Sequence, residues 1–193
     1  MKNSKLRTLV EGAIMIALAT VLSFIKVYKL PWGGSITLLS MLPIAVFSIR
    51  HGLKNGLFVA FASSVVQLLQ GILIDGLFAW GLTPVMLVSC IFLDYIGAYT
   101  VIGFAGAFRG KGLAGQLGGI SMAIVMRFIL HTMSGVFIFA SCGMLWDGFY
   151  TENTWVYSLI YNASYMLPEL VFTLIGAVAL LKAPQTRRLI TGE

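Results

Sequence analysis

Long apolar runs separated by short polar connections dominate this chain. A helix needs about 20 residues to cross the hydrocarbon core of a bilayer, so each long run predicts a membrane-spanning helix. The second run has only about 14 residues, and we expect it to be tilted, deep in the bundle or only partly spanning. The runs lie near 9–25, 36–49, 55–74, 83–108, 117–142 and 156–181. This pattern predicts an all-α, polytopic membrane protein, a six-transmembrane-helix bundle that forms one integral membrane domain over residues 1–193.

Basic residues lie at every second connection, as the positive-inside rule requires of cytoplasmic loops. With six crossings, both the N-terminus and the C-terminus are therefore predicted to be cytoplasmic. Only 10% of the residues are charged, against about 25% in soluble domains. The net charge of +6 is explained by these connections and gives no reason to expect nucleic acid as a partner. The basic residues of these connections are Lys2, Lys5, Arg7, Arg50, Lys54, Arg109, Lys111, Lys182, Arg187 and Arg188, and the exceptions on the other side are Lys26 and Lys29.

The N-terminal segment and the two cysteines give little sign of cleavage, disulfide pairing or metal binding. No small-residue cleavage site follows the first apolar run, so the N-terminal segment is predicted to be an uncleaved helix. Cys90 and Cys142 lie inside or at the end of apolar runs, without metal-ligand spacing, and are predicted to act as small hydrophobic residues. The chain is thus expected in a cell membrane as a multi-pass protein.

The last run, WVYSLIYNASYMLPE, carries a polar face that an ordinary spanning helix lacks. At 3.6 residues per turn, its aromatic and polar side chains share one arc, and its aliphatic side chains share the other. Such a face needs a partner inside the membrane, which is either a bound ligand or hydrogen-bonding neighbours in the bundle. The residues of the arc are Trp155, Tyr157, Ser158, Tyr161, Asn162, Tyr165 and Glu169.

Two other runs carry ionisable residues near mid-membrane. Asp94 lies about eleven residues into the fourth run, and Arg127 and His131 share one face of the fifth. A carboxylate in this position is a functional candidate, and an Asp94–Arg127 ion pair within the bundle is the structural alternative.

Two further segments allow two readings each. In the first run, Ala13 and Ala17 stand four residues apart, a spacing that serves close helix packing inside the bundle or docking of another membrane protein. The loop 27–37 contains Trp32 beside a glycine pair, which favours either a lid or a membrane-interface anchor.

The chain lacks the motifs of the common catalytic classes. It contains no GxxxxGK[ST] phosphate loop, no HExxH, no GxSxG and no cysteine–histidine zinc arrangement. We therefore expect no enzyme activity, no cofactor and no metal. Aromatic rings, amides and a carboxylate suit a small organic cation with an aromatic ring. A proton-coupled carrier that uses Asp94 and Glu169 is the alternative.

The chain resembles the thiamine-specific substrate-binding subunit, or S component, of energy-coupling factor vitamin transporters. The resemblance covers essentially the whole chain. It is carried by LDYIGAY (93–99), by RFILHTMSGVFIF (127–139), by WVYSLIYNASYMLPE (155–169), and more weakly by the alanine pair of the first run.

The resemblance implies a ligand, partners and a set of site residues. It implies a six-helix bundle that captures thiamine and delivers it when docked, through Ala13 and Ala17, on a transmembrane coupling protein driven by two ATPase subunits. It assigns ligand-binding roles to Trp32, Asp94, Tyr95, His131, Phe139, Tyr157 and Asn162. Some members have Glu at the position of Asp94, and some have Trp at the position of Phe139. A thiamine precursor or another vitamin is the alternative cargo.

Overall fold

The computed structural model describes residues 2–30 and 33–191 of the chain. This part contains seven α-helices and two β-hairpins. In chain order the elements are α1 Lys2–Phe24, β1 Lys26–Lys29, β2 Ser35–Thr37, α2 Leu42–His51, α3 Leu53–Leu73, α4 Pro84–Gly106, α5 Gly112–Phe137, β3 Gly143–Trp146, β4 Phe149–Thr151, α6 Thr154–Lys182 and α7 Pro184–Thr191.

Five of these helices, α1, α3, α4, α5 and α6, are long and apolar enough to cross a membrane. The prediction of a mostly helical, polytopic membrane protein is thereby confirmed. The second predicted run behaves differently, because α2 has only 10 residues. At 1.5 Å per residue it is about 15 Å long, half the thickness of the hydrocarbon core.

Helix α2 is apolar because it lies inside the protein. Eight of its residues, from Leu42 to Ile49, are buried, and it packs against α1, α3, α6, α7 and the last turns of α4. The helix ends at Gly52, whose φ of 84° lies in the left-handed region that favours glycine. A Cβ at Gly52 would also lie 2.9 Å from Nη1 of Arg109.

Helix α4 is irregular where the candidate site lies. It starts with Thr83 as the N-cap residue, whose hydroxyl accepts a hydrogen bond from the Met86 amide, and with Pro84 in the first turn. Residues Ile91–Gly97 then form a π-helical segment, and Val101–Gly106 a 3-10 segment. π-Helical turns occur frequently at functional sites.

Two antiparallel hairpins form on the same side of the bundle, which we name the hairpin end. Strand β1 pairs with β2, with Lys29 opposite Ser35, and β3 pairs with β4, with Met144 opposite Tyr150. The prediction of an all-helical chain missed both hairpins. The opposite side, where Arg50, Arg109 and Lys182 lie at or beside helix ends, we name the basic end.

The two ends of the molecule are built differently. The main buried cluster, which includes Phe47, Ala60, Ile102 and Ala177, surrounds α2. At the basic end, Glu11 of α1 accepts hydrogen bonds from Arg50 Nη2 at 3.2 Å and contacts His51 Nε2 at 2.7 Å, which fastens α1 to α2. At the hairpin end the helices separate around a cavity.

Candidate functional site

A cavity of about 1000 Å³ lies at the hairpin end. Its wall is formed by the C-terminal turn of α1, by the hairpin β1–β2, and by α3, α4, α5 and α6. The volume is at the upper limit of the range of about 300–1000 Å³ that is typical of small-molecule sites.

Six of the seven predicted ligand-binding residues lie in this wall. They come from α4, α5, the segment that follows α5, and α6. Trp32 lies outside the described residues, but its neighbours Gly33 and Gly34 line the cavity. The six residues are Asp94, Tyr95, His131, Phe139, Tyr157 and Asn162.

Asp94 is held by two residues of α5. Its Oδ1 lies 2.8 Å from Nδ1 of His131, and its Oδ2 accepts a hydrogen bond from the Ser134 hydroxyl. Nε of Arg127 donates to Nε2 of His131 at 3.3 Å. Because a guanidinium only donates, this Nε2 carries a lone pair, and Nδ1 carries the proton that is donated to Asp94. His131 is therefore neutral in this arrangement.

The Asp94–Arg127 ion pair, which was the structural alternative to a functional role for Asp94, is replaced by this three-residue chain. Among the described residues, no direct pair joins the two groups, since His131 lies between them. Arg127 is buried, and its guanidinium lies over the ring of Tyr99, 4.2 Å from the ring centroid. The carboxylate therefore remains available to the cavity.

The Tyr95 ring fits against α3 at a glycine. A Cβ at Gly71 would lie only 2.4 Å from Cε1 and Oη of Tyr95, so any larger residue there would displace the ring. Tyr95 also packs against the small buried cluster of Leu77, Cys90 and Ile138. Its orientation in the cavity wall is therefore set by α3 and by the turn that follows it.

Helix α6 supplies an aromatic and polar wall, as its sequence predicts. The rings of Tyr157 and Tyr161 stack with centroids 6.3 Å apart. Asn162 donates to the Ser158 carbonyl at 2.8 Å and accepts from the Tyr165 hydroxyl at 2.6 Å. The prediction was wrong for Trp155, which is 49% exposed and packs edge-on against Phe137, away from the cavity.

The same helix fastens the segment that follows α1. The Tyr161 hydroxyl accepts a hydrogen bond from the Gly34 amide at 2.9 Å. The buried Glu169 carboxylate accepts from both the amide and the hydroxyl of Thr37, each at 2.5 Å. Hairpin β1–β2 is thus held over the cavity by polar side chains of α6.

Several residues at the cavity mouth were missed from the sequence. Trp80, in the loop between α3 and α4, lies in the wall with its ring centroid 6.3 Å from that of Phe139. Lys26 pairs with Asp75 at 3.6 Å across the mouth. Cys142 is exposed and lines the cavity, contrary to its prediction as a small hydrophobic residue, whereas Cys90 is buried.

The deep part of the cavity carries an excess of negative charge. Asp75 is paired with Lys26 at the mouth, where Lys29 is exposed. Farther in, the carboxylates of Asp94 and Glu169 face the single guanidinium of Arg127. With His131 neutral, this buried lining favours a ligand with one positive charge.

Ala13 and Ala17 are both exposed on the outer face of α1. Their neighbours Gly12 and Ala19 are buried and face the bundle, where a Cβ at Gly12 would lie 2.8 Å from Val59. Helix α1 therefore packs against the bundle through Gly12 and Ala19, and Ala13 and Ala17 lie on the surface.

The fold and the cavity together define a class: a multi-pass membrane protein with a solute-binding cavity open toward one end of its helix bundle. Comparison with known proteins narrows this class. Residues 9–188 match the family described as thiamine transporter protein (Thia_YuaJ). The chain belongs to this family, which is not enzymatic and resides in the bacterial cell membrane.

Individual relatives agree with this assignment. The chain is 33% identical to the thiamine transporter ThiT of Bacillus subtilis over 190 residues, which cover 90% of each protein. It is 27% identical to the ThiT of Lacticaseibacillus paracasei, over 95% of this chain and 92% of the relative. A solved structure of ThiT from Listeria monocytogenes superposes with a TM-score of 0.70 at 25% identity, covering 95% of this chain and 98% of that one.

Proposed function

We propose that this chain is the thiamine-binding S component of an energy-coupling factor transporter and mediates uptake of thiamine into the cell. The observation that carries the proposal is the Asp94 carboxylate, oriented by His131 and Ser134 inside an aromatic-walled cavity with excess negative charge. The chain performs no covalent chemistry on the vitamin.

The cavity offers a partner for each part of thiamine. The thiazolium cation is neutralised by Asp94 and stacks on aromatic rings, each contact contributing about 0.5–2 kcal/mol. The exocyclic amine of the pyrimidine donates hydrogen bonds to polar side chains in the wall, and its ring nitrogens accept hydrogen bonds from them. The residues to which we assign ligand contacts are Trp32, Asp94, Tyr95, His131, Phe139, Tyr157 and Asn162, and we add Trp80.

The proposed topology makes the whole chain, residues 1–193, one six-segment membrane domain. Helix α2 and the extended residues before it form the second segment, so that the hairpin end faces outward. Both termini are then cytoplasmic. The basic residues at the opposite end support this orientation, because cytoplasmic loops carry an excess of Lys and Arg.

Delivery of the vitamin requires partners that this chain lacks. We propose that a transmembrane coupling protein, driven by two ATPase subunits, docks on the α1 face that contains Ala13 and Ala17. The exposure of both alanines supports this role, since small side chains allow two helix backbones to approach closely.

A proton-coupled carrier is the weaker alternative. Both acids have fixed hydrogen-bond donors, which are His131 and Ser134 for Asp94 and Thr37 for Glu169. A carrier that binds and releases protons at these carboxylates would have to break these hydrogen bonds in every cycle. A thiamine precursor or another vitamin remains the alternative cargo.

Titration of the purified, detergent-solubilised protein with thiamine tests the proposal. Trp80 lies in the cavity wall, so saturable quenching of tryptophan fluorescence is expected at nanomolar to low-micromolar thiamine. Riboflavin and biotin serve as controls and should give no response. Absence of thiamine binding, both by fluorescence and by calorimetry, would refute the assignment of the cargo.

A further inference from the structure

Three side-chain amides line the cavity, and two of them already have partners. Gln70 exchanges hydrogen bonds of 3.2 and 3.3 Å with Ser23, and Asn162 bonds both to Ser158 and to Tyr165. Gln67 makes no hydrogen bond to any residue that the structure describes, although only 9% of it is exposed.

The backbone that carries Gln67 is fixed on both sides. One turn toward the hairpin end, Gly71 receives the Tyr95 ring. One turn toward the basic end, Ser64 accepts a hydrogen bond from Thr100 at 3.5 Å. Helices α3 and α4 therefore fix the backbone at Gln67, and only the side-chain torsions of Gln67 have to adjust to a ligand in the cavity.

The Gln67 amide faces cavity space, because Thr132 Oγ1 is the only fully buried side-chain polar atom without a partner among the described residues. Water is one group that can satisfy it, because a side cavity of about 10 Å³ adjoins Gln67 and is also lined by Ser63 and Tyr99. A space of that size holds about one water molecule. The main cavity, which Gln67 also lines, has room for a ligand.

We propose that Gln67 is a specificity-determining residue that reads the aminopyrimidine of thiamine. This inference rests on the proposed function. A carboxamide presents an acceptor oxygen beside a donor nitrogen, and an aminopyrimidine presents an amino group beside a ring nitrogen. The two edges complement each other in the way that Gln and Asn complement the edge of adenine.

The other parts of thiamine do not offer this complement. The thiazolium ring has no N–H donor, and its charge is met by Asp94. The hydroxyethyl group carries a single hydroxyl, which leaves half of the amide unpaired. Gln67 thus selects the pyrimidine from the α3 side, while α4, α5 and α6 supply charge and aromatic contacts.

Calorimetric titration of two ligands against three proteins tests this role. The ligands are thiamine and the thiamine analogue in which hydrogen replaces the amino group of the pyrimidine. The proteins are the unaltered chain, Gln67→Leu and Gln70→Leu. The last is a matched control, because its amide is already occupied by Ser23. Thermal unfolding without ligand checks that each variant folds.

The unaltered chain should bind thiamine at least about tenfold more tightly than the analogue, because one hydrogen-bonding group is left unmatched. Gln67→Leu should bind thiamine about tenfold more weakly and bind the analogue as the unaltered chain does, so that its preference disappears. Gln70→Leu should keep the preference.

Two results would overturn the inference while leaving the proposed function intact. Unchanged affinity of Gln67→Leu for both ligands would mean that the amide faces water. An equal loss for both ligands would mean that it contacts another part of the vitamin. If the unaltered chain bound neither ligand, the proposed function itself would fail.

Discussion

Asp94 places a carboxylate with fixed hydrogen-bond partners in the cavity wall. Both of its oxygens have a donor from α5, and Arg127 stands behind the histidine that supplies one of them. This arrangement fixes the orientation of the carboxylate, yet leaves it facing the cavity. Its charge, more than its hydrogen bonds, is therefore the property that a cationic ligand uses.

Asp94→Asn is expected to weaken thiamine binding by more than about tenfold while the fold stays intact, since the amide keeps the size but loses the charge. Calorimetry measures the affinity, and thermal unfolding measures the fold. Glu152→Gln is the matched control, because Glu152 is exposed at the same end and accepts a hydrogen bond only from Tyr150 among the described residues. Unchanged affinity in Asp94→Asn would assign Asp94 a structural role instead.

Phe139→Trp is expected to tighten thiamine binding about threefold to tenfold, because Trp presents the best cation–π face. Phe139 lies at the open mouth of the cavity beside Trp80 and is 36% exposed, so a larger ring has room there. Phe139→Leu should weaken binding. Equal affinities for all three proteins would show that this ring does not contact the vitamin.

The sequence predicted part of the cavity wall and failed where contacts between helices decide. The helical period predicted the polar arc of α6, and six of the predicted ligand-binding residues lie in the cavity wall. The partner of Asp94 was not readable, because Arg127 and His131 lie on one face and only the packing puts the histidine closer. Trp80 was missed because a loop tryptophan carries no periodic signal.

Helix α5 packs against the last turns of α4 through a glycine. A Cβ at Gly119 would lie 2.4 Å from the Ala105 carbonyl oxygen, a backbone atom that cannot move aside. The adjacent Gly118 is exposed, with nothing within 4 Å of its Cβ position. Substitution of Gly119 by alanine therefore changes both helix packing and helix propensity, whereas the same substitution at Gly118 changes helix propensity alone.

Gly119→Ala is expected to lower the thermal stability of the protein, because the clash outweighs the gain in helix propensity of about 1 kcal/mol. Gly118→Ala should leave the midpoint of unfolding unchanged or raise it, since it gains the propensity without the clash. The midpoints are measured in the same detergent. Equal midpoints for the two variants would contradict this packing of α4 and α5.

Ala13→Trp and Ala17→Trp are expected to spare thiamine binding and abolish uptake, because a bulky side chain keeps the backbone of a docking helix away from α1. Binding is measured on the isolated chain, and uptake is measured after reconstitution with the coupling protein and its ATPases. Ala179→Trp, at an exposed position of α6, is the control and should support uptake. Loss of binding in the α1 variants would point instead to packing within the bundle.

The irregular elements show what the sequence alone does not reveal. The apolar run 36–49 was predicted to be tilted, deep in the bundle or only partly spanning, and its helix α2 is short and buried in protein. The sequence could not choose among these possibilities, because an apolar residue buried in protein and one buried in lipid are alike in composition. The π-helical segment at Ile91–Gly97 and the strands of three or four residues depend on tertiary contacts. Helix propensity and periodicity carry no signal for either.

On the scale of the whole molecule, a packed half and an open half share one bundle. The side chains around α2 fill the basic half, and the cavity occupies the hairpin half. A ligand that fills the cavity adds contacts between the elements that line it, so thiamine should stabilise the hairpin half in particular.

Vesicles that contain this chain alone should bind thiamine without accumulating it, even under a pH gradient. Accumulation is expected only when the coupling protein and ATPases are present and ATP is supplied. Radiolabelled thiamine, measured inside the vesicles with and without each component, checks this. Uptake by the isolated chain, driven by protons and insensitive to ATP, would establish the carrier alternative.

The short α2 also determines where the membrane voltage falls. With the hairpin end facing outward, as proposed, water in the cavity would carry the potential of the outer solution into the bundle. The voltage would then drop mainly across the packed half, whose central helix is about 15 Å long. A cation that enters the cavity therefore crosses little of the field, and capture of thiamine should be nearly independent of voltage. Its release on the other side would cross most of the field, which is worth about 2.3 kcal/mol per charge at 100 mV.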